Sequence, residues 1–339
     1  MIKYTVLQKD PAQYKSHIIK LWADSLPGTP PQRFDWLNSG SPAGPALWFF
    51  AFKENSPEPV GTLSIMPREL YCKGQNIRAG ILGDYMVSGE YRVFGPALQI
   101  LKTALAHLSP LQFNFFYTIP NPDSAKLIQR AGLSAGKPLR HLAKPINLCH
   151  YLSKRMSPRL ARVLAPCAAP GLTLFSRDAW CRIKDVVAET AIIDESFDRL
   201  WHRIKSTHSA IVGDLSGAYL DWRYFKNPLY SFRLLTVRNQ SQGELLGYSF
   251  FTISDMKLEI FDLVSLQKRH VLILLKKLSR IAKDEECTAI YCRSLETNPW
   301  YPTLKACNYI DARDDVPVYF YGQELDGNAW HFFSGERNI

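Results

Sequence analysis

A repeat constrains this chain more than any other feature. Residues 34–51, FDWLNSGSPAGPALWFFA, and 220–237, LDWRYFKNPLYSFRLLTV, align at an offset of 186 residues, with Asp35-Trp36 falling on Asp221-Trp222 and Pro42 on Pro228. The same offset carries Gly61 onto Gly247, each at the head of an apolar run that follows a polar turn. Further on the spacing tightens, so that Asp84 meets Asp262 at 178 residues and Asn121-Pro122 meets Asn298-Pro299 at 177. Matches in constant order and at nearly constant spacing mark a duplicated unit. A chain of 339 residues has room for two units, each with its own core. The division expected is a first unit over 1–145, a connector over 146–185, a second unit over 186–325 and a tail over 326–339.

Each unit reads as strand, helix, a tryptophan-containing helical turn and two antiparallel strands around the shared glycine. A third strand, a helix, a fourth strand and another helix follow. In the first unit, Asn55, Ser56, Pro57 and Pro59 suit a hairpin turn between the antiparallel strands. The fold class is therefore α/β: two tandem units, each a mixed, mostly antiparallel sheet flanked by helices. The Asp-Trp pairs, present in both units, read as core-closing tryptophans with turn-capping aspartates. DWRYFKNPLY reads as solvated surface, with acceptor contact as the second reading. The connector mixes basic and apolar residues with prolines and is expected to pack between the units. A membrane-surface helix is the alternative, and Pro158 interrupts it.

Composition narrows the chemistry. The seven cysteines are odd in number and never spaced CxxC, and no HExxH occurs, so no metal is expected. GxSxG, GxGxxG and GxxxxGK[ST] are also missing. Charges or prolines interrupt every apolar run, so no stable membrane insertion is expected. The opening MIKYTVLQKDP lacks an apolar signal core, and a cytoplasmic protein is the expectation. The net charge of +10 favours phosphate-bearing ligands; it is spread along the chain without a nucleic-acid module, so no nucleic-acid partner is expected.

The segment EYRVFGPAL (90–98) follows the strand-like GILGDYMV and opens a helix-like run. A strand that ends in a glycine-containing loop before a helix gathers backbone N–H groups and the positive end of a helix dipole, which suits a pyrophosphate. Pro96 removes one donor, but at the first helical position that N–H has no intrahelical partner. Arg92, Gly95 and Ala97 give R-x-x-G-x-A, and Asn121, Ser124, Leu127, Gly132 and Leu133 recur in the next strand–helix block.

These two blocks resemble those of the GNAT superfamily of acyl-CoA-dependent N-acyltransferases, over roughly residues 1–140. The resemblance implies acetyl-CoA or another acyl-CoA as co-substrate, held by Val87, Arg92, Val93, Phe94, Gly95, Ala97, Asn121 and Ser124. It also implies direct attack by a primary amine, with a small-molecule acceptor such as an amino sugar or polyamine. The Val87 N–H would polarise the thioester oxygen. Asp84 is the expected base and Tyr117 the expected acid, with Tyr85 a second source of a phenol. Where the superfamily often carries a tyrosine, this chain has Ile128. His270 and Ile273 replace the arginine and glycine of the loop in the second unit, so that unit is expected to be degenerate. Two other readings stay open: a FemAB-like aminoacyl transferase, which shares the duplicated fold, and a non-catalytic acyl-CoA-binding or scaffold protein.

Overall fold

The computed structural model describes residues 3–92, 95–153, 156–157, 159–164, 174–322 and 329–337. In chain order the first half comprises β1 (Tyr4–Gln8), α1 (Lys15–Ser25), α2 (Gln32–Ser39), β2 (Leu47–Lys53), β3 (Pro59–Cys72), β4 (Gln75–Val87), α3 (Pro96–Ala106), β5 (Phe115–Thr118), α4 (Pro122–Arg130) and β6 (Ser134–Pro145). After α5 (Leu148–Ser153), the second half comprises β7 (Val186–Thr190), α6 (Glu195–Thr207), β8 (Val212–Gly213), α7 (Gly217–Leu220), β9 (Arg233–Arg238), β10 (Leu245–Ser254), β11 (Lys257–Ser265), α8 (Lys268–Asp284), β12 (Ala289–Leu295), α9 (Tyr301–Ala306), β13 (Ile310–Asp311) and β14 (Val316–Gly322).

The main path of the sheet runs β1-β2-β3-β4-β5-β14-β6-β12-β11-β10-β9-β7. Read from its two ends this order is the same series, with β7 in the place of β1, β9 of β2 and β12 of β5. Pairing is parallel between β4 and β5 and between β11 and β12, and antiparallel elsewhere on the path. Local chemistry repeats as well. Lys73-Gly74 turns β3 into β4 and Asp255-Met256 turns β10 into β11, with positive φ at both residues of each turn. Such two-residue turns match the right-handed twist of antiparallel strands.

The halves exchange their last strands. β14 pairs with β5, while β6, from the first unit of the sequence division, pairs with β12 and β14. One sheet results, with apolar clusters on both faces. One cluster lies beneath α3 and α4, where Ile100, Leu101, Ala104 and Leu105 form the buried stripe of α3. Each large side chain in that stripe contributes about 1.5–3 kcal/mol by burial. A second cluster lies beneath α8 and α9. The third is shared by both halves and holds Trp22, Trp36, Trp48, Trp222 and Trp330.

The repeated tryptophans meet at the centre of that shared core. Trp36 and Trp222 stack with ring centroids 4.7 Å apart and planes 11° from parallel. Each indole N–H donates to the other residue's carbonyl, at 2.8 and 3.0 Å. Their aspartates stay near the surface, in ion pairs with Lys15 and Lys226. The tryptophans therefore join the two halves rather than close separate cores.

Candidate active site

Strands β4 and β5 pair only over Ala79–Ile81 and Phe115–Tyr117. Beyond a last link from Thr118 Oγ1 to the Leu82 carbonyl (3.0 Å), β5 ends and β4 runs on to Val87. The parting of these strands opens a cleft of about 810 Å³, lined among others by Tyr85, Val87, Arg92, Ala97, Asn121 and Ser124. Strand N–H groups alternate in direction. The Ser88 N–H donates to Val60 on β3, so the Val87 N–H faces the opposite edge, into the cleft.

The loop sequence and its geometry agree. Gly95 is the N-cap of α3 at φ +89°, and Pro96 takes the first helical position. No heavy atom lies within 4 Å of where a Cβ on Gly95 would sit, so the loop keeps an open face before the helix N-terminus. Arg92 folds back, its Nε 3.2 Å from the Val87 carbonyl. Val93 and Phe94 lie outside the described residues. The Asn121 carboxamide oxygen caps α4 by accepting the Ser124 N–H at 2.9 Å. An open loop, a helix dipole, an arginine and a strand-edge N–H together fit an acyl-CoA, with the loop for its pyrophosphate and the cleft for its thioester arm.

Asp84, the expected base, and Arg33 are among the residues that line the cleft, and the Asp84 carboxylate is committed to partners within the protein. Asp84 and Tyr85 form a bulge opposite Leu63, with Asp84 at φ +47°. The bulge turns the Asp84 carboxylate into the shared core. There it accepts from Trp22 Nε1 (3.0 Å), from Ser64 Oγ (2.7 Å) and from the Arg33 guanidinium, its partner in a buried ion pair. A carboxylate with both oxygens engaged and a cation against it anchors the bulge.

Tyr117, the expected acid, is committed in the same way. It is fully buried and donates to the Glu336 carbonyl at 2.9 Å, on the core side of β5. Tyr85 instead lines the cleft, and its buried hydroxyl has no hydrogen-bond partner among the described residues. Burial pushes this phenol well above its ordinary range. Tyr85 packs against the cluster that contains Ile128, the position where the superfamily resemblance expects a tyrosine.

Three contributions escaped the sequence reading. Arg33 on α2 holds Asp84 from 51 residues away, and no local pattern marks it. Leu229 and Tyr230, from the second half, form part of the cleft wall, which answers the question about DWRYFKNPLY: its end reaches the site. The residues after 328 are the third. The Arg68 guanidinium binds both carboxylate oxygens of Glu336, at 2.8 and 2.6 Å, and Arg223 holds the carbonyls of Gly335 and Arg337. Arg337 thereby joins the cleft lining. Gly213 is required here, because a Cβ would lie 1.8 Å from Arg68 Nη2.

The equivalent gap in the second half is filled. β11 and β12 pair only over Lys257–Ile260 and Ala289–Cys292, then part as β4 and β5 do. Residues 329–337 occupy the opening. His331 Nε2 donates to the Leu263 carbonyl (2.9 Å), Phe333 bridges to Ser294, and Asn298 Nδ2, the counterpart of Asn121, donates to the Phe332 carbonyl (3.1 Å). No glycine loop precedes α8: it begins at Lys268, with His270 and Ile273 buried in its packed face. Among the described residues no cluster of His, Cys, Asp and Glu could hold a metal, and no helix is long and apolar enough to cross a membrane.

No family model and no curated protein matches this sequence. Solved structures do match the fold. A GCN5-related N-acetyltransferase from Kribbella flavida superposes with a TM-score of 0.62 at 10% identity, over 94% of this chain and 71% of that one. A probable N-acyltransferase from Enterococcus faecalis gives 0.65 at 13% identity, over 94% and 72%. The N-myristoyltransferase of Saccharomyces cerevisiae, with bound myristoyl-CoA, gives 0.59 at 10% identity, over 94% and 82%. The chain has the fold of the GCN5-related N-acetyltransferases, and the likeness runs through both halves.

Proposed function

We propose that the protein is an acyl-CoA-dependent N-acyltransferase with one acyl-CoA site per chain, in the first half, and that its acceptor is the primary amine of a small molecule. One observation carries this reading. Two topologically equivalent gaps exist; the first is open beside a glycine loop and a helix N-terminus, and the second is filled by the chain itself. The acyl-CoA supplies an activated thioester. Arg92 and the loop around Gly95 hold its phosphates, and Asn121 and Ser124 border it at the start of α4. The Val87 N–H donates to the carbonyl oxygen as negative charge develops there. As the amine nitrogen bonds to the acyl carbon and the C–S bond breaks, the Tyr85 hydroxyl gives its proton to the departing sulfur and the Tyr85 phenolate takes the surplus proton from the nitrogen, leaving an amide, a free thiol and the phenol restored. Asp84, Arg33 and Ser64 hold the bulge that aims Tyr85.

The test is calorimetry with acetyl-CoA, followed by thiol release over a panel of amines. One site per chain with turnover on at least one amine is expected. Two equivalent sites would overturn the assignment to the first half, and binding without turnover on any amine would favour a sensor or scaffold. Tyr85→Phe should lower kcat by about 10²–10⁴-fold with acyl-CoA affinity unchanged. An unchanged kcat would remove Tyr85 from the mechanism.

A further inference from the structure

The stretch between the two halves carries chemistry that the cleft does not use. Over 146–185 it holds seven lysines and arginines and two carboxylates, Asp178 and Asp185, so it supplies +5 of the chain's net +10. Asp178 is buried and committed to Lys144 Nζ at 2.6 Å. The expected packed connector is found only in part. Among its described residues Leu174, Phe175 and Trp180 are 57, 82 and 69% exposed. Large apolar side chains grouped at such exposure mark a contact surface.

This surface stands on a built base. Asp178 also meets Ser176 and Ser279, and Lys276 Nζ donates to the Ala179 and Cys181 carbonyls at 2.9 and 2.7 Å. The Trp180 indole N–H donates to the Leu174 carbonyl at 2.8 Å, so its polar group is satisfied inside the protein. The exposed arginines are Arg177, between the two aromatic residues in sequence, and Arg182, just after Trp180.

We propose that this face docks the protein on an anionic lipid bilayer. Tryptophan, phenylalanine and leucine suit the headgroup–acyl boundary, while arginines meet lipid phosphates. A nucleic acid would also attract the arginines, but Leu174 offers it no aromatic face for base stacking and would stay in water. With no membrane-crossing helix among the described residues, the attachment is peripheral and its apolar part shallow.

The test is flotation of the full chain with vesicles of phosphatidylcholine alone and with about one-third phosphatidylglycerol. Two variants accompany it: Phe175→Ser/Trp180→Ser and Arg177→Glu/Arg182→Glu. Partitioning is expected to be about tenfold greater on the anionic vesicles and to weaken as salt rises. Each variant should lose about tenfold of it while Tm and acetyl-CoA affinity stay unchanged, since all four side chains are exposed. Equal binding to both vesicles, no binding to either, or full binding by the Phe175/Trp180 variant would overturn the proposal. Tighter binding to a single-stranded oligonucleotide than to anionic vesicles, weakened by the same variants, would reassign the surface to nucleic acid.

Discussion

Gly95 stands at φ +89° with open space around it, so its need for glycine is conformational and not steric. A residue with a Cβ pays roughly 1–2 kcal/mol in that region. Gly95→Ala is therefore expected to weaken acetyl-CoA binding about tenfold by calorimetry, the equivalent of about 1.4 kcal/mol, because the free loop relaxes away from the positive φ and binding must restore it. An unaltered affinity would show that the loop does not touch the ligand. Asp84 and Asp262 occupy matching places in the repeat and differ in their partners. Asp84 has Arg33, whereas Asp262 is buried and repelled by Glu336, which push its carboxyl up from 3.8 to about 7. The folded chain then keeps a proton that the unfolded chain releases between about pH 4 and 7, so stability from this group is full at low pH and falls as pH rises through 7. Asp262→Asn, which keeps an oxygen for the Leu263 N–H at 2.9 Å, should flatten urea-measured stability between about pH 4 and 7. Parallel profiles for the two proteins would contradict this assignment.

At the scale of elements, α3 and α8 are counterparts that begin differently. One starts with Gly95-Pro96 beside an open cleft, and the other starts two residues after its strand with Ile273 in the core. That difference was legible, because a β-branched residue in place of a glycine speaks for itself. The positions of β3, β4 and α3, and the proline at the first turn of α3, were legible for the same local reasons. β6 was not: SAGKPLRHLAKP carries Lys, Arg and two prolines, and its partners lie far along the chain. Nor could spacing distinguish Tyr117 from Tyr85, because the bulge at Asp84-Tyr85 shifts which side chains of β4 face the cleft. The repeat did predict two buried tryptophans, but not that they meet. Replacing Trp36 and Trp222 by leucine, singly and together, should give a coupling of about 0.5–3 kcal/mol in urea unfolding, since each indole bonds the other's carbonyl. Additive losses would mean the stack is incidental.

For the whole molecule, the exchange of β6 and β14 makes the two halves a single folding unit. Fragments 1–145 and 146–339 expressed separately would each leave long-range strand edges unpaired. They are expected to lack cooperative unfolding by circular dichroism alone and to regain it when mixed after co-expression. A first fragment that unfolds cooperatively alone would show that the exchange is dispensable. What the sequence by itself determined is the duplication, the α/β alternation, the glycine-loop geometry at Gly95 and the loss of that geometry in the second copy. Each of these rests on residues within a few positions of one another, where φ preference, side-chain branching and apolar period act directly. Only the tertiary structure decided which phenol faces the cleft, that Arg33 holds Asp84, and that residues 329–337 fill the second gap and deliver Arg337 to the first. Those outcomes depend on pairings between segments up to 268 residues apart, such as Arg68 with Glu336. Such a pairing leaves no periodicity or spacing behind, because it rests on the attraction and hydrogen bonds that offset the cost of burying two charges, and not on their order in the chain.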